Sequence, residues 1–171
     1  TTVTLHTAKS FAELGKQVLV IDADLRKSVM AGRNTDAKNP KGLSEVLIGL
    51  ENLENCVFHT QYSGLDIMFA GKYPPNPVEL LGSKYFSTLL QEAKKAYDYI
   101  FIDTPPLGPV IDAAVIAPQC DGTIIVLGSS KIRIRQAQNV LEQLKKSECR
   151  VLGVVRNQSD AHGKGYYRNA P

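Results

Sequence analysis

Long apolar runs are missing from this 171-residue chain. Nothing approaches the ~20 consecutive apolar residues that span a bilayer, and no secretory signal pattern is visible. Any membrane association is therefore expected to come through a partner or a segment outside these residues. Cysteine is scarce. Cys56, Cys120 and Cys149 are far apart and odd in number, with no CxxC and no metal-ligand spacing. That pattern points to free thiols in a reducing cytoplasm. Neither sign of charge dominates. The formal balance is +3, which does not call for nucleic acid but permits an acidic ligand or a membrane surface. There are no internal repeats. Apolar residues at 43% and charged residues at 22% are near globular averages, and the length suits one domain with a sizeable core.

What is present begins with Lys16-Gln17-Val18-Leu19-Val20-Ile21-Asp22-Ala23-Asp24-Leu25-Arg26. Val18 to Ile21 are all apolar and three of the four are β-branched, which predicts a fully buried parallel strand. The run ends in two carboxylates with one residue between them. A strand ending in acids can place charge at the ligand-binding edge of an open α/β sheet; it can also be a strand followed by a polar turn. Tyr99-Ile100-Phe101-Ile102-Asp103-Thr104-Pro105-Pro106 repeats the pattern. Two such strands in one small domain suggest a metal–phosphate site.

The rest of the chain alternates strands and helices. Leu5, Ala8, Phe11 and Ala12 predict a helix from Thr1 to Leu14, capped by Gly15. A polar loop without periodicity is expected from Arg26 to Lys41, then a short helix from Leu43 to Leu50 with Ser44 as a cap candidate. Short strands are expected at Cys56–Phe58 and Leu65–Phe69. Pro77 fits the first position of a helix over Val78–Leu81. Phe86, Leu89, Leu90 and Ala93 form the apolar face of a helix from Lys84 to Ala96. A helix from about Ile111 to Ala117, a buried strand from Thr123 to Leu127, a helix from Arg133 to Ser147 and a buried strand from Val151 to Val155 complete the alternation. The expected fold is α/β, a doubly wound and mostly parallel sheet with helices on both faces. Such a sheet normally starts with a strand, whereas here a helix comes first. The natural chain is therefore expected to extend N-terminally beyond Thr1.

These motifs resemble those of the bacterial tyrosine kinases, which are deviant-Walker P-loop ATPases of the MinD/ParA-like fold. VLVIDADLRKS is similar to their Walker A′ motif and YIFIDTPP to their Walker B strand. Gly71-Lys72-Tyr73-Pro74-Pro75-Asn76-Pro77-Val78-Glu79-Leu80-Leu81 resembles their PPNPxELL element, which has no obvious counterpart in the MinD/ParA cousins. Gly153-Val154-Val155-Arg156-Asn157 resembles their GVVLN strand end, with Arg156 in place of an apolar residue. The resemblance covers Thr1 to about Asn157 and implies a kinase domain over 1–157 with a tyrosine-containing tail over 158–171. Thr1-Thr2 falls at the ST of the family's GxGKST pattern. The Gly-rich loop and its lysine, which cradle the phosphates, are absent from these residues.

The resemblance implies an autophosphorylating protein-tyrosine kinase that uses ATP and Mg2+ and regulates capsular or exopolysaccharide synthesis and export. By resemblance, the Thr1 hydroxyl would coordinate Mg2+ and Asp103 would hold it directly or through water. Of Asp22 and Asp24, one would orient the metal shell and the other accept the tyrosine proton, with Asp24 favoured as the base and Asp22 as the metal-side acid. Thr1, Thr2, Arg26 and Asn157 belong to the nucleotide site. Arg26 would reach phosphate or a neighbouring subunit, or serve only as a solvated loop charge. Asn157 would bond adenine or simply end its strand. Tyr166 and Tyr167 are candidate autophosphorylation sites, or part of a solvated tail. The implied partners are a membrane adaptor that activates the kinase and further copies of the chain in a ring. The implied location is cytoplasmic, at the membrane through a partner. Two other readings stay open: a positioning ATPase cycling between dimer and monomer, and a scaffold that binds no nucleotide.

Overall fold

Four consecutive apolar residues can be buried only if both faces of their strand are covered, and β1 (Val18–Asp22) is buried throughout. A computed structural model describes residues 1–34, 40–105, 112–128, 142 and 149–157. In it, β1 lies between two parallel neighbours, β3 (Leu65–Met68) and β4 (Tyr99–Asp103). The short β2 (Val57–His59) pairs antiparallel with the outer side of β3, giving the order β2-β3-β1-β4.

Side chains alternate across a strand, and the two faces of β1 enter different cores. Val18 and Val20 join Ala8 and Ala12 of α1 (Thr2–Glu13), together with Met30, Leu65, Ile67 and Phe69. Leu19 and Ile21 face the other way. They join Leu43 and Leu47 of α3 (Leu43–Leu47), Leu81 of α4 (Pro77–Leu81), and Phe86, Leu89, Leu90 and Ala93 of α5 (Lys84–Ala93). All four residues expected on the buried face of α5 are buried. Pro77 takes the first position of α4, as expected. Gly15 closes α1 at φ 79°, in the left-handed region that glycine enters without strain.

Several expectations are corrected. The segment after Arg26 contains a short helix, α2 (Ala31–Asn34), and Met30 before it is fully buried, so it is not wholly a polar loop. Ser44 is not the cap of α3. Gly42 holds that position, and Glu45 reaches back so that its Oε2 accepts the Gly42 N–H at 2.9 Å. The sheet is divided. Strand β5 (Thr123–Gly128) pairs in parallel with β6 (Val151–Asn157) in a separate two-stranded sheet. Neither is a buried strand: Ile124, Val126, Leu152 and Val154 are exposed, and only Ile125 of β5 is buried. The reason is geometric. An apolar strand is buried only when elements cover both faces, and the described residues cover these two incompletely. The expected helix over 133–147 and the tail tyrosines lie outside the described residues.

The second sheet is reached through α6 (Asp112–Ile116) and a 3-10 turn (Ala117–Gln119). Gln119 joins this segment to the first unit. Its Nε2 donates to Leu81 O at 3.0 Å and its Oε1 accepts from Ser87 Oγ at 2.9 Å. Among the described residues, no helix is long and apolar enough to cross a membrane.

Candidate functional site

The parallel register of β1 and β4 sets Asp22 directly beside Asp103. Both carboxylates therefore stand at the carboxyl edge of the first sheet, where open α/β folds bind ligands. Both are buried, at 1% and 6% exposure. The ladder continues one step beyond them, because Ala23 N–H donates to Asp103 O at 2.8 Å.

The chain after Asp22 turns back on its own carboxylates. Asp22 Oδ1 accepts the Asp24 N–H at 3.1 Å, and the Ser28 hydroxyl donates to Asp22 Oδ2. Asp24 Oδ1 accepts the N–H groups of Arg26 at 3.3 Å and Lys27 at 3.0 Å. Ser28 Oγ in turn accepts the Met30 N–H at 3.3 Å. Asp and Ser side chains commonly close turns in this way. Here the turn also fixes two acids at the sheet edge, with Asp22 buried and Asp24 half-buried beside the exposed Arg26.

Asp103 is held from the other side by α1. Thr1 Oγ1 donates to its Oδ2 at 2.6 Å, and Thr4 Oγ1 donates to its Oδ1 at 2.7 Å. The Thr1 backbone nitrogen lies 2.9 Å from Oδ1. Thr1, Asp22, Asp24 and Asp103 are thus brought together at one edge of the sheet. Thr2 is exposed at the start of α1. Asn157 ends β6 opposite Gly128, in the second sheet. Tyr166 and Tyr167 are outside the described residues.

Burial pushes the Asp22 carboxyl from its ordinary 3.8 up to about 6; the Ser28 and Asp24 hydrogen bonds oppose this, and the charges of Asp103 and Asp24 add to it. The folded chain therefore holds this proton more tightly than the unfolded chain. The stabilisation is complete below pH 4 and is lost as pH rises through 6. A rise of that size corresponds to about 3 kcal/mol. In metal-free buffer, wild-type stability is expected to fall by that order between pH 4 and pH 6 relative to Asp22→Asn. Parallel curves for the two proteins in urea titrations would contradict this.

The donors are hard oxygens: one hydroxyl and two carboxylates. Among the described residues, no group of three or more His, Cys, Asp or Glu could by itself hold a metal ion. That set suits Mg2+, which uses one or two carboxylates and fills its shell with waters and substrate phosphates. It suits zinc poorly.

A second organised feature leaves the same edge. Buried Glu45 accepts the N–H groups of Gly42 and, at 3.2 Å, of Lys72, and the Ser44 hydroxyl at 3.1 Å. This holds the start of the Gly71–Asn76 loop. Gly71 has φ 80°, and a Cβ there would lie 2.1 Å from Glu45 Oε2. Gly71→Ala is expected to cost about 1–3 kcal/mol, seen as a lowered Tm. An unchanged Tm would show that the loop is not held as described.

Thr4, Ser28 and Glu45 escaped the sequence reading. Thr4 stands one helical turn after Thr1 on the same face, a spacing that could have drawn attention to it. Ser28 and Glu45 carry no comparable signal.

A family model described as an AAA domain matches residues 1–154. The chain is 38% identical over 156 residues to tyrosine-protein kinase CpsD of Streptococcus agalactiae, spanning 91% of this chain and 68% of that protein. Its fold is similar to the crystal structure of the VpsO kinase domain, with TM-score 0.86, 38% identity, and coverage of 92% of this chain and 77% of that one. The cell division ATPase MinD of Pyrococcus furiosus is similar at TM-score 0.74 and 23% identity, over 93% of this chain and 68% of that one; it shows the fold alone.

Proposed function

This chain belongs to the bacterial tyrosine-protein kinases, which share the P-loop ATPase fold, and from that premise we propose that it transfers the γ-phosphoryl group of ATP to tyrosine hydroxyls through the Asp22–Asp24–Asp103 edge. The observation that carries this reading is the in-register pair Asp22 and Asp103, with the Thr1 hydroxyl 2.6 Å from the latter. Phosphoryl transfer relies on positioning and electrostatic stabilisation. Bound Mg2+ would supply charge neutralisation at the phosphate oxygens. Thr1 Oγ1, Asp103 and Asp22 are the residues that would hold it. Asp22, pushed up by burial, would lose its proton readily beside a dication, because a bound cation reverses the local preference.

Asp24 is the proposed base. It is less buried than Asp22, and its Oδ1 is fixed by two backbone N–H groups. A tyrosine hydroxyl has a pKa of about 10, so a carboxylate that accepts its proton assists attack. The phenol oxygen forms the new bond to phosphorus, the bond from the γ-phosphorus to the bridging oxygen of ADP breaks, and the phenol proton passes to Asp24. Thr2 and Arg26 are proposed for the phosphates and Asn157 for the adenine. The kinase domain would occupy residues 1–157. Tyr166 and Tyr167, in a tail over 158–171, would be acceptors for neighbouring copies in a ring. The biological role in this reading is control of capsular or exopolysaccharide synthesis and export, in the cytoplasm beneath a membrane adaptor that activates the kinase.

The test is to incubate the full-length protein with MgATP and follow phosphotyrosine and ADP together. Phosphotyrosine that accumulates in the wild type and disappears in Asp24→Asn supports the kinase. ADP release without phosphotyrosine would favour a positioning ATPase, and no nucleotide binding would favour a scaffold.

A further inference from the structure

We propose that Thr4 is a positioning residue for Asp103, holding its carboxylate in the orientation that serves a nucleotide-bound divalent cation; this rests on the kinase reading above. Asp103 is buried at the end of β4, and its side chain meets hydroxyls on two successive turns of the α1 end. The two hydroxyls are not equivalent. Thr1 bonds Oδ2 and is the proposed metal ligand. A hydroxyl has one proton and two lone pairs, so Thr1 can be shared between carboxylate and cation. Thr4 lies one turn deeper in the helix and bonds the other oxygen, Oδ1, at 2.7 Å. The Thr1 backbone nitrogen also approaches Oδ1, at 2.9 Å, but the Thr4 hydroxyl is the side-chain donor to that oxygen and is separate from the Thr1 hydroxyl that would meet the cation.

The residue type fits this role. A threonine inside a helix is a weaker helix former than alanine. Its hydroxyl can turn back to a carbonyl in the preceding turn. Here the hydroxyl is spent on a charged acceptor across the α1–β4 interface, and such bonds are among the stronger ones. With Oδ1 anchored by Thr4, rotation of the Asp103 carboxylate is restricted and Oδ2 stays turned towards Thr1.

A purely structural tie between α1 and β4 would be a different role, and nucleotide binding separates the two. The full-length protein is titrated with ADP, with and without Mg2+, as wild type, Thr4→Val and Thr4→Ser. Partners that orient metal ligands typically contribute about 10–100-fold in metal affinity. Thr4→Val is expected to lose a factor of that order from the Mg2+-dependent tightening of ADP binding, with metal-free ADP affinity unchanged. Thr4→Ser, which keeps the hydroxyl, is expected to restore most of it. Should Thr4→Val not fold, Thr4→Ala makes the same comparison. The proposal is overturned if the hydroxyl-free variant keeps the wild-type Mg2+ dependence, loses both affinities equally, or is matched by Thr4→Ser. A wild type whose ADP affinity ignores Mg2+ overturns the metal-site reading itself, and the role of Thr4 with it.

Discussion

Asp24→Asn is expected to lower the rate of tyrosine phosphorylation by about 10²–10⁴-fold, the range associated with a positioned general base. The substitution isolates charge from shape. Asparagine keeps an oxygen at the Oδ1 position, so the N–H groups of Arg26 and Lys27 retain their acceptor and the turn survives. What is lost is the carboxylate that takes the phenol proton. MgATP affinity should stay near wild type, because Asp24 is not among the proposed metal ligands. Asp22→Asn makes the contrast: it removes a charge beside Asp103 and should weaken Mg2+-dependent nucleotide binding. Single-turnover rates and nucleotide titrations on both variants decide the assignment. If Asp22→Asn loses rate with binding intact, and Asp24→Asn loses binding, the two roles are reversed.

Phe86→Ala is expected to destabilise the fold by about 3–5 kcal/mol, the usual result of emptying a buried aromatic site. Phe86 is fully buried on α5 and belongs to the core formed by Leu19, Ile21, Leu81 and Leu90. A domain of this size loses about 2–4 °C in Tm per kcal/mol, so a fall of about 10 °C is expected. The adjacent position is the control. Tyr85 is exposed, with the Lys84 ammonium 5.7 Å from its ring centre. Tyr85→Ala should stay within about 0.5 kcal/mol of wild type. Equal losses at the two positions would contradict the face assigned to α5.

Residues adjacent in the chain thus differ in exposure because helical periodicity turns one inward and the other outward. That local rule is why much of the first unit was legible. The apolar runs Val18–Ile21 and Tyr99–Ile102 specified strands, and the acids after them specified where charge would stand. Phe86, Leu89, Leu90 and Ala93 specified a buried helix face. Two of the family motifs lie on β1 and β4 and a third runs into α4, so the kinase family was legible too.

The same rule failed for β5 and β6. Their apolar runs look like buried strands, yet Ile124, Val126, Leu152 and Val154 are exposed. Apolarity states what a strand tolerates, whereas burial depends on which elements lie against it. The cap of α3 was misread for a related reason. Ser44 has the right chemistry, but the position belongs to Gly42, because Glu45 satisfies the backbone there and Lys72 of a later loop as well.

By itself the sequence determined most elements of the first unit, though not α2, together with the parallel α/β class, the family, and the placing of Asp22 with Asp103 in one proposed site. Only the tertiary structure decided how those acids are held. Ser28 closes on Asp22, and Thr4 reaches Asp103 across 99 positions of chain. The Thr1–Thr4 spacing marks only a shared helix face; the bond itself exists only once α1 has packed beside β4.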